Sequence, residues 1–233
     1  MTPERMTQEM THERGAQGPT PQEVSKLLER IDTLEARVRT LEDTEAIQKL
    51  TRMYGYYLDK ALWRHVVPLF TEDCEVEISA LGVYAGRQQA EVLFREVLGK
   101  GPAMSDENGL LPGRLFNHLI LQGIVHVDAD GRGAKGRWRA FVQVAEFGKS
   151  AVWGEGPYEM EYRKGDDGRW RIRRLHFFRT YHTPFDEGWA KAVSPKGGMR
   201  TNHPPSRPPS IDYDPYPAAF VPPFHYRHPI TGD

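Results

Sequence analysis

The chain of 233 residues contains one cysteine, Cys74, which excludes an internal disulfide and any cysteine-rich zinc site. It also lacks an apolar run near the ~18 residues of a membrane span, and its first residues, MTPERMTQEMTHERGAQG, hold no apolar core of a signal peptide. A soluble, cytoplasmic protein is expected. Excess charge of one sign is missing too. With 31 Lys and Arg against 32 Asp and Glu, the formal charge of −1 gives no electrostatic reason to expect a nucleic acid or an anionic membrane as partner. No GxGxxG, phosphate-binding loop or GxSxG occurs, so nucleotide binding and serine hydrolysis have no motif and no cofactor is expected. His225 and His228 with Asp233 suggest a metal only weakly, since they sit in a proline-rich segment without a third-ligand pattern, and no metal is expected.

What is present is unevenly spread. Residues 1–21 are polar and charged and read as a mobile arm. Over residues 22–42, Leu27, Ile31, Leu34, Val38 and Leu41 recur at alternating spacings of four and three, a short heptad seam that predicts a helix packing on a partner or on its own domain. β-Branched Ile31 and Val38 alternating with Leu34 and Leu41 lean towards a parallel dimer, and a homo-dimer or homo-trimer is the expected self-association. A second helical run covers about residues 43–60, LWRHVVPLF reads as a short helix stopped near Pro68, and CEVEIS alternates as a strand. A turn and a helix follow. Four strand-like runs then succeed one another, RLFNHLILQGIVHVDAD, GAKGRWRAFVQVAEF, AVWGEGPYEMEYRKG and GRWRIRRLHFFRTYHTP, with Asp and Gly in the connections where hairpin turns require them. The predicted domain, residues 43–183, is α+β, with helices packed on a curved antiparallel sheet. Eleven of the 18 prolines fall in residues 184–233, interleaved with aromatic rings. Burying each ring is worth about 2 kcal/mol, so this tail is expected to be extended but docked.

Candidate chemistry starts at YGYYLDKALW, where a helix flanked by core-like sequence carries three phenols and a carboxylate. Tyr54 shares a face with Leu58 and Tyr56 with Asp59, so the three tyrosines cannot all point one way. By period-two alternation, His118 shares its strand face with Phe116, Ile120 and Gln122. A histidine there can give or take a proton near neutrality. On the last strand Arg174 and His176 share one face and Arg173 and Arg179 the other, and either face could supply a cation.

The order of YLDKALWRHVVPLFTEDCEVEIS, RLFNHLI and YRKGDDGRWRIRRL over about residues 43–181 resembles the SnoaL-like branch of the nuclear transport factor 2-like superfamily, which includes scytalone dehydratase. The resemblance implies a cone-like α+β barrel enclosing a pocket, a homo-oligomer, and acid–base chemistry on a small aromatic molecule without a cofactor. It turns Asp59, otherwise read as a solvated aspartate beside Lys60 or Arg64, into a pocket carboxylate of raised pKa. Asp59, His118, Tyr56 and His176 are then the catalytic candidates, with Tyr158, Gln122, Gln143, Tyr54, Arg174 and Phe116 as substrate-binding candidates. Three positions depart from scytalone dehydratase: Leu58 replaces a tyrosine, Ile78 stands near a missing phenol, and the strand RWRAFVQVAEF offers Gln143 and no second histidine. The tyrosine-rich helix and aromatic tail are similar to a lyase of lignin catabolism in this superfamily that removes formaldehyde from a diarylpropane diol to give a stilbene. A non-catalytic role, such as a ring-hydroxylating dioxygenase small subunit, and a ketosteroid-isomerase-like activity remain open alternatives.

Overall fold

In the computed structural model, residues 18–101, 105–106 and 109–233 are described, so the arm expected at the N-terminus lies outside them up to residue 17. Two compact units are present, Met1–Arg39 and Thr40–Asp233. Helix α1 (Pro21–Asp59) is continuous where the sequence reading placed two helices, because no glycine or proline interrupts residues 22–54. It opens with a reciprocal cap: the Thr20 hydroxyl accepts from the Glu23 N–H (3.3 Å), and the Glu23 carboxylate accepts from the Thr20 N–H (2.8 Å). It closes where Ala61 enters the left-handed region at φ 51°.

Within the first unit, Val24, Leu27, Ile31, Leu34 and Val38 are all exposed. In the second unit the buried stripe of α1 runs through Asp43, Ile47, Thr51, Tyr54 and Leu58, whose spacing keeps them on one face. The sequence then forms α2 (Trp63–Val66), β1 (Phe70–Ile78), β2 (Val83–Ala85) and α3 (Arg87–Val92). A short pair, β3 (Ser105–Asp106) and β4 (Gly109–Leu110), precedes the long strands β5 (Arg114–Val127), β6 (Gly133–Glu146), β7 (Ser150–Lys164) and β8 (Trp170–Phe177). Strand β9 (Tyr181–Pro184) and α4 (Gly188–Lys191) complete the elements. The main sheet runs β2-β1-β8-β7-β6-β5, antiparallel throughout except that β1 lies parallel to β8.

Helix α1 packs on this curved sheet through apolar rings and a polar seam. Asp43 Oδ1 accepts from Lys164 Nζ (2.7 Å) and from the Trp170 indole (2.8 Å). The Thr51 hydroxyl meets the Tyr162 hydroxyl at 2.8 Å, and Trp138 Nε1 donates to the same phenol at 2.9 Å. Hydrogen bonds to a charged group contribute about 1.5–3 kcal/mol each, and orphaning any of these buried groups would cost a comparable amount.

Two bulges break the strand alternation that the sequence suggests. In β5, Leu121 pairs with Arg139 but Ile124 with Arg137, so Gln122 and Gly123 share one place. Gln122 sits at φ 51°, and a Cβ on Gly123 would lie 2.1 Å from the Trp138 ring, so only glycine fits beside the indole. In β8, Ile172 and Arg174 pair with the adjacent residues Tyr162 and Glu161, leaving Arg173 as the extra residue.

Residues 184–233 lie against the domain, mostly without regular structure. The buried Glu77 carboxylate accepts from the Ser210 N–H (2.7 Å) and hydroxyl (2.6 Å), and the Tyr84 hydroxyl donates to the His203 carbonyl (2.8 Å). The Tyr213 ring stacks on Phe220 at 4.4 Å, and its hydroxyl accepts from the Arg179 N–H (2.7 Å). Among the described residues no helix is long and apolar enough to cross a membrane.

Candidate active site

A cavity of about 160 Å³ opens inside the cone, close to the roughly 150 Å³ of an apolar cavity that takes up a benzene ring. Its walls are apolar: Leu58 from α1, Ile78 at the end of β1 and Leu81 after it, Val97 and Leu98 after α3, Phe116 from β5, Val142 and Val144 from β6, and Phe177 from β8. Set into them are Tyr54, His118, Tyr158, Arg179, Tyr181, His182 and Arg200. Arg200 is exposed and Arg179, Tyr181 and His182 are half-buried, so these four mark the open side.

Each histidine is held by its backbone N–H. Strand β5 is a sheet edge, so every second N–H has no strand partner, and Asp59 Oδ1 takes the one at His118 (2.5 Å). The His118 ring packs edge-on against Phe116 at 4.5 Å, and its buried Nδ1 has no hydrogen-bond partner among the described residues. On β9 the His182 N–H donates to the Ser194 hydroxyl at 2.9 Å. Burial pushes His118 down to about 3, with the nearby His182 adding to the effect, and pushes His182 down to about 4, with Arg179 assisting. Both imidazoles are therefore neutral at pH 7. Burial likewise holds the Tyr54 and Tyr158 phenols above their ordinary value, so both stay protonated. The two rings meet edge-on at 6.3 Å.

The structure gathers only some of the sequence candidates here. Tyr54, Phe116, His118 and Tyr158 line the cavity. Asp59 and the largely exposed Tyr56 share a face as expected, but that face opens into a separate outer cleft, because the buried stripe of α1 passes through Tyr54 and Leu58. Asp59 reaches the site through the His118 amide, and burial raises its pKa as expected. His176 and Arg174 are displaced more fully. The bulge at Arg173 turns them to the other side of the sheet, where they line a second cavity under the tail. There His176 Nδ1 lies 3.5 Å from Glu77, and its ring stacks on Phe178 at 3.7 Å. Gln122, in the β5 bulge, accepts from Arg139 (2.6 Å), and Gln143 accepts from Asn117 (3.1 Å), both away from the cavity.

His182 and Arg200 were not foreseen. The signal for His182 was WGEGPY in β7, where a Cβ on Gly156 would lie 2.0 Å from the Phe178 carbonyl. Glycine lets the chain leaving β8 cross tightly, so that β9 pairs with the same edge of β7 and sets His182 opposite Gly154. Nothing in the proline-rich tail marked Arg200. Among the described residues no group of three or more His, Cys, Asp or Glu could hold a metal ion.

The SnoaL-like domain model matches residues 39–176. The chain belongs to the SnoaL-like domain family. Solved structures share the fold of this SnoaL-like domain. A scytalone dehydratase-type protein of Novosphingobium aromaticivorans is 19% identical over 71% of this chain and 97% of its own, with a TM-score of 0.54. An aromatic ring hydroxylase-type protein of the same species is 23% identical over 62% and 94%, with a TM-score of 0.51. A hexachlorocyclohexane dehydrochlorinase of Novosphingobium barchaimii is 22% identical over 64% and 94%, with a TM-score of 0.53. No curated protein matches the sequence. Arg179, Tyr181, His182 and Arg200 all lie beyond residue 176, where the match to the SnoaL-like model ends.

The folded pKa values of His118 and His182 lie below their ordinary 6.5, so the stability these residues contribute is full above pH 6.5 and is lost as the pH falls towards 3. Proton NMR titration should show no midpoint above pH 5 for either ring, with the melting temperature falling as the pH drops from 6.5 to 4. A midpoint near 6.5 for either would contradict the neutral pair.

Proposed function

We propose that the protein is a cofactor-independent lyase acting on a phenolic small molecule by acid–base chemistry. The observation that carries this reading is geometric: two imidazoles, His118 and His182, and two phenols, Tyr54 and Tyr158, face one ring-sized apolar cavity. A neutral imidazole takes the proton of a substrate phenol, and the released electron pair expels a benzylic hydroxyl, which leaves as water with a proton donated by the site. The resulting quinone methide is an electron sink. In a diarylpropane diol, a base then takes the proton of the terminal hydroxyl, the adjacent carbon–carbon bond breaks, and its electron pair restores the phenol. The products are a stilbene, formaldehyde and water, with no net oxidation. Loss of a carbon-bound proton instead gives a simple dehydration. Such proton transfers each contribute about 10² to 10⁴-fold, and the apolar walls exclude the water that would trap the intermediate. The neighbours named for scytalone dehydratase and dehydrochlorinase are consistent with eliminations on this fold.

The cavity holds one ring, so the activated phenol occupies it and a second ring lies towards Arg179, Tyr181 and Arg200. The purified protein, incubated with a panel of phenolic diols, is expected to release formaldehyde and stilbene absorbance in equal amounts. No turnover of any diol alongside isomerisation of a ketosteroid would overturn the reading.

The reading also includes a parallel two-stranded coiled coil between two copies. Val24, Ile31 and Val38 fall at one core position of the heptad and Leu27, Leu34 and Leu41 at the other, the arrangement that favours two parallel strands. At the flanking positions, Arg30 and Arg37 face Glu35 and Glu42 of a parallel in-register copy, so the charges are complementary. The buried Cys74 does not compete in a crosslinking test. The Leu34→Cys variant is expected to form a disulfide-linked dimer on a non-reducing gel, and monomer alone would exclude this pairing.

A further inference from the structure

Among the described residues the open side of the cavity carries two guanidiniums and no carboxylate. Elsewhere in the domain arginines are paired within the fold: Arg137 with Glu159, Arg139 with Glu155, Arg163 and Arg173 with Asp73, Arg207 with Glu75. Arg179 and Arg200 differ, with no carboxylate within ion-pair distance among the described residues. Arg179 spends one donor on the Pro195 carbonyl (3.1 Å), and the rest of its fork has no acceptor among the described residues. Burial also disfavours its charge, which makes an uncompensated guanidinium costly to keep at this place. A half-buried cation beside an apolar cavity is stabilised by an anion that arrives with the ligand.

We infer that Arg179 and Arg200 form an anion subsite, and that the substrate is an aromatic compound bearing an ionised carboxylate at the end remote from His118. A planar carboxylate matches the guanidinium fork bidentately and is charged at pH 7, whereas a phenol is not. This deepens the lyase reading and rests on it for treating the cavity as the substrate site. Both arginines lie beyond residue 176, where the match to the SnoaL-like model ends.

Calorimetric binding of 4-hydroxybenzoate and of its neutral isostere 4-hydroxybenzamide tests the subsite without turnover, so it can fail or succeed independently of the diol assay. The wild-type protein is expected to bind the acid at least tenfold more tightly than the amide. The Arg179→Gln/Arg200→Gln double variant should reduce that preference to less than threefold, while His118→Ala retains it. If the double variant does not fold, Arg200→Gln alone is expected to lower the preference at least threefold. Equal binding of acid and amide, no binding of either, or a preference that survives in the folded arginine variant would overturn the inference.

Discussion

The hydrogen bond from the His118 amide to Asp59 fixes the relation on which the site depends. A carboxylate at the C-terminal end of a helix meets the negative end of the helix dipole, and part-burial adds to the cost, as the raised pKa of Asp59 reflects. What offsets that cost is an N–H on an edge strand that has no strand partner. The bond ties the end of α1 to β5 and so sets the His118 ring against Phe116 over the cavity. At the far end of the same buried stripe, Asp43 ties α1 to Lys164 and Trp170, so the helix is clamped to the sheet near both ends of its packed face.

With the scaffold fixed, the chemistry of the cavity follows from desolvation. Apolar walls push both imidazoles towards the neutral form and both phenols towards the protonated form. The ordinary charges of the protein are handled elsewhere, in ion pairs on the outer face of the sheet. Beneath the tail, Glu77 accepts two bonds from Ser210 beside the neutral His176, so that side of the sheet serves to hold the C-terminal segment in place. The same segment then supplies Arg200 to the cavity.

Much of the fold was legible because it rests on periodicity. The helices, the four long strands and the curved sheet could be read from spacing and turn residues, and Phe116 and His118 from strand alternation. Alternation failed where a backbone irregularity intervened: the bulge at Gln122 and Gly123 removed Gln122 from the site, and the bulge at Arg173 turned Arg174 and His176 outwards. On α1 the ambiguity was rotational. Tyr54 and Tyr56 are two residues apart, roughly 200° around the helix, and only packing decides which faces inwards. His182 escaped notice because it follows a tight crossing that lets β9 rejoin β7, a long-range pairing that no local pattern encodes. Arg200 comes from an irregular segment whose position depends on contacts more than a hundred residues away in sequence, such as that of Tyr84 with His203.

The central claim is that His118 and His182 act as one proton-transfer unit. The direct measurement is kcat/KM on a turned-over phenolic diol for His118→Ala, His182→Ala and the double variant, with melting temperatures recorded for each. Each single change is expected to lower kcat/KM by about 100-fold or more, with the double variant within about threefold of the worse single, since residues that act together lose their effect together. An unaffected His182→Ala enzyme, or losses that multiply in the double variant, would contradict the account.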